Sequence, residues 1–527
     1  MRIVTAAEMQ RMDRETIETI GIPGRVLMEN AGRGATRCFL EQIFPMNPGK
    51  VAVIAGRGNN GGDGFVMARY LAQRDIKVVV YLLSTQDRVQ GDALANLKLL
   101  PQLGIPLIEI PDESHWSDQQ SAMASFSCWI DAIFGTGLNA EVRGFYRKII
   151  EFINSLQKPV FAVDIPSGLH ADTGQPCGTA IQATATATFG YAKNGHVLYP
   201  GVSFCGAVDV IDIGIPHAVT QNIPSQQILV TGTQVLDRLP TRQAQAHKGH
   251  TGHLLIVAGA TGKTGAAAMA AASALRIGAG LVTLAVPQTL NPILETQLIE
   301  AMTLPLPDGG QGILTEAAFD AVVQAAEGKR CLAIGPGVGT SQPTRQLIHR
   351  LVRESTLPMV IDADGLNILA ADLTLLKARQ APTVLTPHPG EMARLTNRSV
   401  AQIQADRISA ARQLSQEYQV VVVLKGARTL ISDPTGHVWV NPTGNPGMAC
   451  GGMGDVLTGA VAGLITQGCS AIDAALLGVF LHGLAADLLA REMPHGFLAT
   501  EVMDNLPLAM EHVMRNNLEP VIRGPHL

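Results

Sequence analysis

Gly56-Arg57-Gly58-Asn59-Asn60-Gly61-Gly62-Asp63-Gly64 stands between an apolar run, Val51–Ala55, and a helical pattern, Phe65 to Gln73. The order is strand, glycine turn, helix start. Such a turn brings backbone N–H groups and the positive end of a helix toward an anion. No lysine follows where G-x-x-x-x-G-K-[ST] requires one, and Asn59, Asn60 and Asp63 crowd the turn with side-chain oxygens. The stretch reads as a phosphate cradle that also offers oxygen to a cation. A strand that feeds a helix in this way opens a βα unit, and the fold class follows from it.

The same rhythm continues outward. Val51–Ala55, Lys77–Leu83, Cys128–Phe134, Val160–Ile165 and Ala207–Ile213 read as strands in the first half. Leu254–Ala258, Leu281–Val286, Cys331–Ile334, Met359–Ile361, Thr383–Leu385 and Val420–Leu424 read as strands in the second. Near-continuous Val/Ile/Leu runs separated by helical patterns predict parallel strands buried on both faces. From Pro216 to about Gln245 the rhythm breaks into Gln, Thr and Pro. The expected organisation is a domain over 1–215, a linker over 216–234 and a second α/β domain over 235–527.

A chain of 527 residues exceeds one ordinary core. Its 39 Lys and Arg against 44 Asp and Glu give a net charge of −5, with no basic face for nucleic acid or a membrane surface. Seven scattered Cys with no C-x-x-C pair fit a reducing compartment. Thr5 and Glu8 have capping-box spacing. No apolar leader segment follows, and no run of about 20 residues escapes polar interruption. The expectation is a cytoplasmic protein that binds small molecules, neither nucleic acid nor membrane.

Open parallel sheets bind ligands beyond the carboxyl ends of their strands. In the first half those loops carry Asp131 with Gly135-Thr136-Gly137-Leu138, and Asp164-Ile165-Pro166-Ser167-Gly168. Asn60, Asp131 and Ser167 offer hard oxygen ligands suited to a hard cation. Asp164 is a candidate for proton transfer. Each loop alone reads more readily as turn or N-cap chemistry than as a site; the set of three carries the weight.

These motifs, with Leu27-Met28-Glu29-Asn30-Ala31-Gly32, resemble the NAD(P)H-hydrate epimerase family over roughly residues 1–215. The resemblance implies a Rossmann-like α/β/α domain that interconverts the R and S epimers of hydrated NADH or NADPH. It implies that the hydrated dinucleotide (NADHX or NADPHX) is held by Asn59, Asn60, Gly61, Gly62 and Asp63, and by Gly135, Thr136, Gly137, Leu138, Asn139, Ala140 and Glu141. It further implies potassium on Asn60, Asp131 and Ser167, with Asp164 beside the reacting carbon.

In the second half, Gly451-Gly452-Met453-Gly454-Asp455 opens a helical run, Val456 to Ile465. Glycines at a helix start cradle an anion, and Asp455 sits where a base meets a hydroxyl beside a phosphoryl group. A glycine-rich helix entry with an aspartate in its first turn is the plainer reading of those residues. Lys425-Gly426-Ala427-Arg428-Thr429 ends another strand with two cations and a hydroxyl. Thr386-Pro387-His388-Pro389-Gly390-Glu391 fixes a histidine between prolines in extended backbone. Asp362-Ala363-Asp364-Gly365 reads either as metal ligands or as a turn with an N-cap.

With His247-Lys248-Gly249, Gly265-Ala266-Ala267 and Gly335-Pro336-Gly337, this set resembles the ribokinase-like superfamily, and within it the NAD(P)H-hydrate dehydratase family over roughly residues 235–515. The resemblance implies a hydrate beside Ala267, Gly337, His388 and Asp455, and a nucleotide on Lys425, Gly426, Ala427, Arg428, Thr429 and Gly454. It implies phosphorylation of the hydrate's hydroxyl with Mg2+ and ADP, then loss of phosphate to restore NAD(P)H and leave AMP. Fusion of the two domains resembles the bacterial, ADP-using type. A homo-oligomer is expected, with no residue that fixes its copy number. A ribokinase-type small-molecule kinase, and a first half that senses nucleotide without catalysis, remain alternative readings of the residues themselves.

Overall fold

The structure, a computed structural model, describes residues 1–242, 244–515, 518 and 520–524. The chain forms two compact units, Met1–Gln227 with Pro520–Leu527, and Ile228–Glu519. Both are α/β, with mostly parallel sheets buried on both faces.

In the first unit the strands are β1 (Val51–Ala55), β2 (Val78–Leu82), β3 (Leu107–Glu109), β4 (Cys128–Ala132), β5 (Val160–Val163), β6 (Ala185–Phe189) and β7 (Ala207–Ile211). They pair in the order 3-2-1-4-5-6-7, all parallel. The order reverses between β1 and β4, the Rossmann-like switch point where a crevice opens at the strand ends. Val51, Val53 and Ala55 bury toward one helical layer and Ala52 and Ile54 toward the other. Helix α1 (Ala6–Arg14) carries the expected capping box, in which Glu8 N–H donates to Thr5 Oγ1 at 3.1 Å. Helix α2 (Gly24–Gln42) lies against α3 (Asn59–Ala72), tied by Glu29, which accepts from Tyr70 Oη at 2.6 Å and pairs with Arg69.

Helix α3 starts at Asn59, not at Phe65, so the glycine stretch is itself the first turn of a helix. Close packing outweighs the poor helix propensity of glycine. A Cβ on Gly61 would lie 2.0 Å from the Gly56 carbonyl oxygen, and one on Gly62 2.6 Å from Met28 Cε.

Two domain boundaries differ from expectation. The division falls at Gln227, inside the expected linker, and that stretch is ordered as helix α4 (His217–Asn222), a strand, Gln227–Leu229, and a short helix, Gly232–Leu236. Residues 520–524 do not belong to the second unit. Ile522–Arg523 pairs in parallel with β7, and Ile522 is 2% exposed, so burial of that side chain and the open hydrogen bonds of an edge strand draw the segment to the first sheet.

The second unit holds β8 (His253–Val257), β9 (Leu281–Pro287), β10 (Met302–Leu306), β11 (Cys331–Ile334), β12 (Met359–Ile361), β13 (Thr383–Leu385), β14 (Val421–Leu424), β15 (Leu430–Ser432) and β16 (Val438–Val440). Their order is 10-9-8-11-12-13-14-15-16, parallel except for the last two pairings. The switch point lies between β8 and β11. This is the expected ribokinase-like α/β/α arrangement. Helices α5 (Thr264–Arg276), α7 (Met453–Thr466) and α8 (Ala471–Ala490) pack on one face, and α6 (Pro389–Thr396) follows β13. Helix α8 is long and apolar enough to cross a membrane by composition, but 72% of its apolar 18-residue stretch is buried. Helix α7 meets α5 with almost no space between backbones: a Cβ on Gly459 would stand 2.0 Å from the Ala270 carbonyl oxygen.

Candidate active sites

At the first switch point, the loops after β1 and β4 wall a cavity of about 750 Å3. Asn59, Asn60, Asp63, Gly135, Thr136, Gly137, Leu138 and Asp164 line it, as expected. Gly61 and Gly62 do not; they face packed protein. The wall stops at Leu138: Asn139, Ala140 and Glu141 are exposed, and Glu141 accepts from Arg143 Nε at 2.8 Å. A second concavity of about 840 Å3 on this unit carries Arg33, Arg37 and Arg74 against Glu41, Asp209 and Asp212. Its charges balance, so the switch-point cavity is where the chemistry concentrates.

Asp164 sits at the end of β5 with φ +64°, a left-handed conformation that Asp tolerates better than most residues. Its Oδ1 accepts from Lys193 Nζ at 2.7 Å, Thr188 Oγ1 at 3.0 Å and Phe189 N–H at 3.3 Å. The Lys193 side chain is 1% exposed. Burial works to raise the Asp164 carboxyl, but the Lys193 ammonium outweighs it and holds the group below the ordinary carboxylate value. His196 supports the pair: its Nδ1 accepts from Lys193 N–H at 3.0 Å and its Nε2 lies 2.9 Å from the Asp164 carbonyl oxygen. Burial, with Lys193 adding, pushes the imidazole down to about 4, so it is neutral.

Two more carboxyls share the cavity. Asp13, on α1, is pushed up to about 6 by burial and by Asp164, against Lys193. Asp63 is raised well above the ordinary value by burial and by its acidic neighbours. One ammonium serves three carboxyls, so their affinities for protons are forced apart.

Asp131 and Ser167 meet directly. Ser167 N–H donates to Asp131 Oδ2 at 2.7 Å, and the Ser167 hydroxyl donates to Oδ1 at 2.6 Å. Burial lifts Asp131 to about 6 against those hydrogen bonds, and among the described residues no cationic side chain contributes to its environment. Asn60 stands nearby, with its Oδ1 3.5 Å from where a Cβ on Gly135 would be and its buried Nδ2 without a partner among the described residues. A fully buried carboxylate with no counter-cation among the described residues, beside a hydroxyl, the Phe134 carbonyl and an amide that is unsatisfied among them, fits a monovalent cation held by oxygen.

In the second unit, Asp362 at the end of β12 is fully buried. It accepts from Lys425 Nζ at 2.7 Å and from Thr458 Oγ1 at 2.7 Å. Burial raises its carboxyl, but Lys425 and the hydroxyls outweigh it and hold it low. With both oxygens so engaged, Asp362 anchors Lys425. Asp364 begins a helical turn instead, accepting from Gly339 N–H at 2.9 Å and pairing with Lys263 at 2.7 Å.

Gly454 stands directly over this pair: a Cβ there would lie 3.3 Å from Lys425 Nζ and 3.5 Å from Asp362 Oδ2. Asp455 follows on α7, raised to about 6 by burial and by Asp362, against Lys425. Glu391, 3.8 Å from Lys425, is raised to about 7 by burial first. His388 caps α6, its Nδ1 accepting from Gly390 N–H at 2.9 Å. Burial and then Lys425 lower its affinity for a proton. Gly337 (φ +66°) fits closely over Lys263, whose Cβ would be 2.9 Å from one on the glycine, and Ala267 is fully buried on α5. Of the expected nucleotide residues, Lys425 and Gly454 come together. Arg428 instead donates to the Pro442 carbonyl, and the Thr429 hydroxyl to the Gly426 carbonyl at 3.0 Å.

Asp13, Lys193, His196 and Thr458 were not legible as site residues. Asp13 lies in an ordinary amphipathic helix, and Thr458 within an apolar one. Lys193 carried a faint signal, as a lysine in a stretch of small and aromatic residues, Phe189-Gly190-Tyr191-Ala192-Lys193.

Comparison with known proteins adds a second line. Residues 24–195 match a family profile described as YjeF-related protein N-terminus, and residues 254–508 one described as NAD(P)H-hydrate dehydratase. A bifunctional NAD(P)H-hydrate repair enzyme of Moorella thermoacetica is 43% identical over 99% of this chain and 98% of its own. One of Thermofilum pendens is 37% identical over the same shares. Among solved structures, an ADP/ATP-dependent NAD(P)H-hydrate dehydratase from Bacillus subtilis, co-crystallised with ATP/Mg2+, is 33% identical with a TM-score of 0.47, covering 54% of this chain and 98% of that one.

Proposed function

The chain belongs to the bifunctional NAD(P)H-hydrate repair enzymes, and from that premise we propose how its two sites divide the work. The first unit epimerises the R and S hydrates of NADH and NADPH. The second uses ADP to dehydrate the S epimer, yielding NAD(P)H, AMP and phosphate. The observation that carries the reading is the pair of lysine-held aspartates, Asp164 with Lys193 and Asp362 with Lys425, each beside a carboxyl of raised proton affinity at a glycine-rich strand end.

In the first site the hydrate lies in the switch-point cavity. Asn59, Asp63 and the Gly135–Leu138 loop position it, and Asp164 handles a proton at the reacting carbon. Lys193 keeps Asp164 ionised. Asn60, Asp131 and Ser167 would hold potassium, which supplies a fixed positive charge that neutralises Asp131 and ties three loops together.

In the second site Asp455 takes the proton from the hydrate's hydroxyl as its oxygen attacks the terminal phosphorus of ADP; the P–O bond to AMP breaks. Loss of a proton from the neighbouring carbon and of phosphate then restores the ring double bond. The N–H groups at the start of α7 and Lys425 offset developing negative charge. Mg2+ bound with the nucleotide supplies further positive charge. Of the expected nucleotide residues, Lys425 and Gly454 are the ones the geometry favours; Ala267, Gly337 and His388 hold the hydrate. ADP rather than ATP, cytoplasmic location and self-association rest on the family resemblance.

The deciding assay supplies a mixed-epimer hydrate with ADP and follows the appearance of NADH by the absorbance of its reduced ring. Complete conversion, with one phosphate released per NADH, is expected. A stable phosphorylated product with no NADH would favour the kinase reading instead.

A further inference from the structure

Asp13 is a residue that neither the motifs nor the family expectations single out. It projects from α1 into the switch-point cavity, on the same helical face as Met9, Gln10 and Ile17. Its Oδ1 is buried and accepts no hydrogen bond among the described residues. A buried carboxyl oxygen at a cavity wall requires a donor, and the ligand is the group placed to supply one. The cavity already contains an ionised carboxylate, Asp164, whose charge is matched by Lys193.

We propose that Asp13 is the second proton-carrying group of the epimerisation, acting as the acid where Asp164 acts as the base. This rests on the reading of the first unit as an epimerase.

Hydration of an enamine places the hydroxyl on the carbon bonded to nitrogen. Inversion there proceeds by breaking and remaking the C–O bond. The ring nitrogen's lone pair closes to C=N+, the bonding pair leaves with oxygen, and that oxygen takes the proton of Asp13 and departs as water. A water adds to the opposite face, the C=N pair returns to nitrogen, and the released proton passes to Asp164. Transfer from Asp164 to Asp13 through water restores the starting state. The opposite direction uses the two groups in exchanged roles. Two carboxyls whose surroundings set their proton affinities apart, Asp13 above the ordinary carboxylate value through burial and Asp164 below it through Lys193, meet this requirement.

The test uses the full chain with Asp13→Asn, Asp13→Glu and Asp13→Ala. Epimerisation is followed by exchange NMR between the two hydrates; thermal unfolding measures whether the first unit is folded, and dehydration of pure S hydrate shows that the second site is intact. Asp13→Asn should lower epimerisation kcat by about 10²–10⁴-fold with KM changed less than threefold. Asp13→Glu should recover part of the loss, and added formate should rescue Asp13→Ala. Wild-type kcat in folded Asp13→Asn overturns the proposal, as does a loss confined to KM or the absence of formate rescue. Wild-type protein that does not epimerise at all overturns the reading of the unit itself, which separates the two failures.

Discussion

Lys193 Nζ lies 2.7 Å from the Asp164 carboxylate, and the lysine side chain is 1% exposed. An ammonium buried to that extent is stable only while its partner is ionised. The pair is therefore a single electrostatic unit, and a change to either member is felt by the other.

Asp164→Asn should preserve the backbone, because Asn tolerates the left-handed conformation at φ +64°. It should remove the charge on which Lys193 depends and slow epimerisation by about 10²–10⁴-fold. With mixed hydrate and ADP, the S fraction should disappear at the normal rate and the reaction should then stall at the spontaneous rate. Adding Asp455→Asn protein should restore full conversion, since free hydrate diffuses between molecules. Full-rate conversion by Asp164→Asn alone would reduce Asp164 to a turn residue.

Dehydration should depend on pH through Asp455. A carboxyl raised to about 6 is a base only when ionised, so kcat should be flat above that value and fall about tenfold per unit below it. In Asp455→Asn the rate should be lower by about 10²–10⁴-fold and this acid limb should vanish. A limb that persists unchanged would assign it to another group, with Glu391 the nearest candidate.

Potassium should stabilise the first unit, and more so at higher pH. The Asp131 carboxyl is raised from 3.8 to about 6 in the fold, chiefly by burial. Without a cation, its contribution to stability therefore diminishes as pH rises from about 4 to 6 and stays low above. At about 100 times Kd, potassium should add roughly 2.7 kcal/mol, or about 5–10 °C for a unit of this size, at pH 8. At pH 5, where Asp131 is protonated, the shift should be markedly smaller. Asp131→Asn should abolish the pH dependence, and equal shifts at both pH values would remove Asp131 from the cation site.

Gly459 within α7 and Gly451 just ahead of it should respond differently to alanine. Gly459→Ala places a methyl 2.0 Å from the Ala270 carbonyl and should cost about 1–3 kcal/mol or more by forcing α5 and α7 apart. Gly451→Ala, just before the helix, meets nothing within 4 Å and should leave the melting temperature within about 2 °C. Thermal unfolding of the two variants measures the difference.

The strand–turn–helix rhythm was readable because parallel strands buried on both faces are written as unbroken apolar runs; β1, β11, β12 and β13 fall on the expected residues. Strand β6, Ala185-Thr186-Ala187-Thr188-Phe189, was not readable, because its small and hydroxylated side chains hide a strand whose backbone is fully buried. The extent of α3 was missed because glycine signals a turn locally, while the packing that bends it into a helix comes from Met28, Gly56 and Ala132 elsewhere in the chain. Asp131, Asp164 and Ser167 were legible as candidates because they sit beside glycines at strand ends, and Asp455 because it follows a glycine run at a helix start. Asp13 and Lys193 were not, since tertiary folding alone brings a mid-helix carboxyl and a buried ammonium to the same cavity.

The pairing of Ile522–Arg523 with β7 bears on how the protein is made. A ribosome delivers β7 some 300 residues before the strand that covers its edge. Through that interval the first sheet has an open flank of backbone donors and acceptors, the feature that recruits neighbouring chains. A polypeptide cut at residue 215 would keep that flank permanently, whereas one joining residues 1–227 to 520–524 through a short flexible tether would close it. Epimerase studied in isolation should therefore be prepared in the second form, and the first should be the one that aggregates during synthesis.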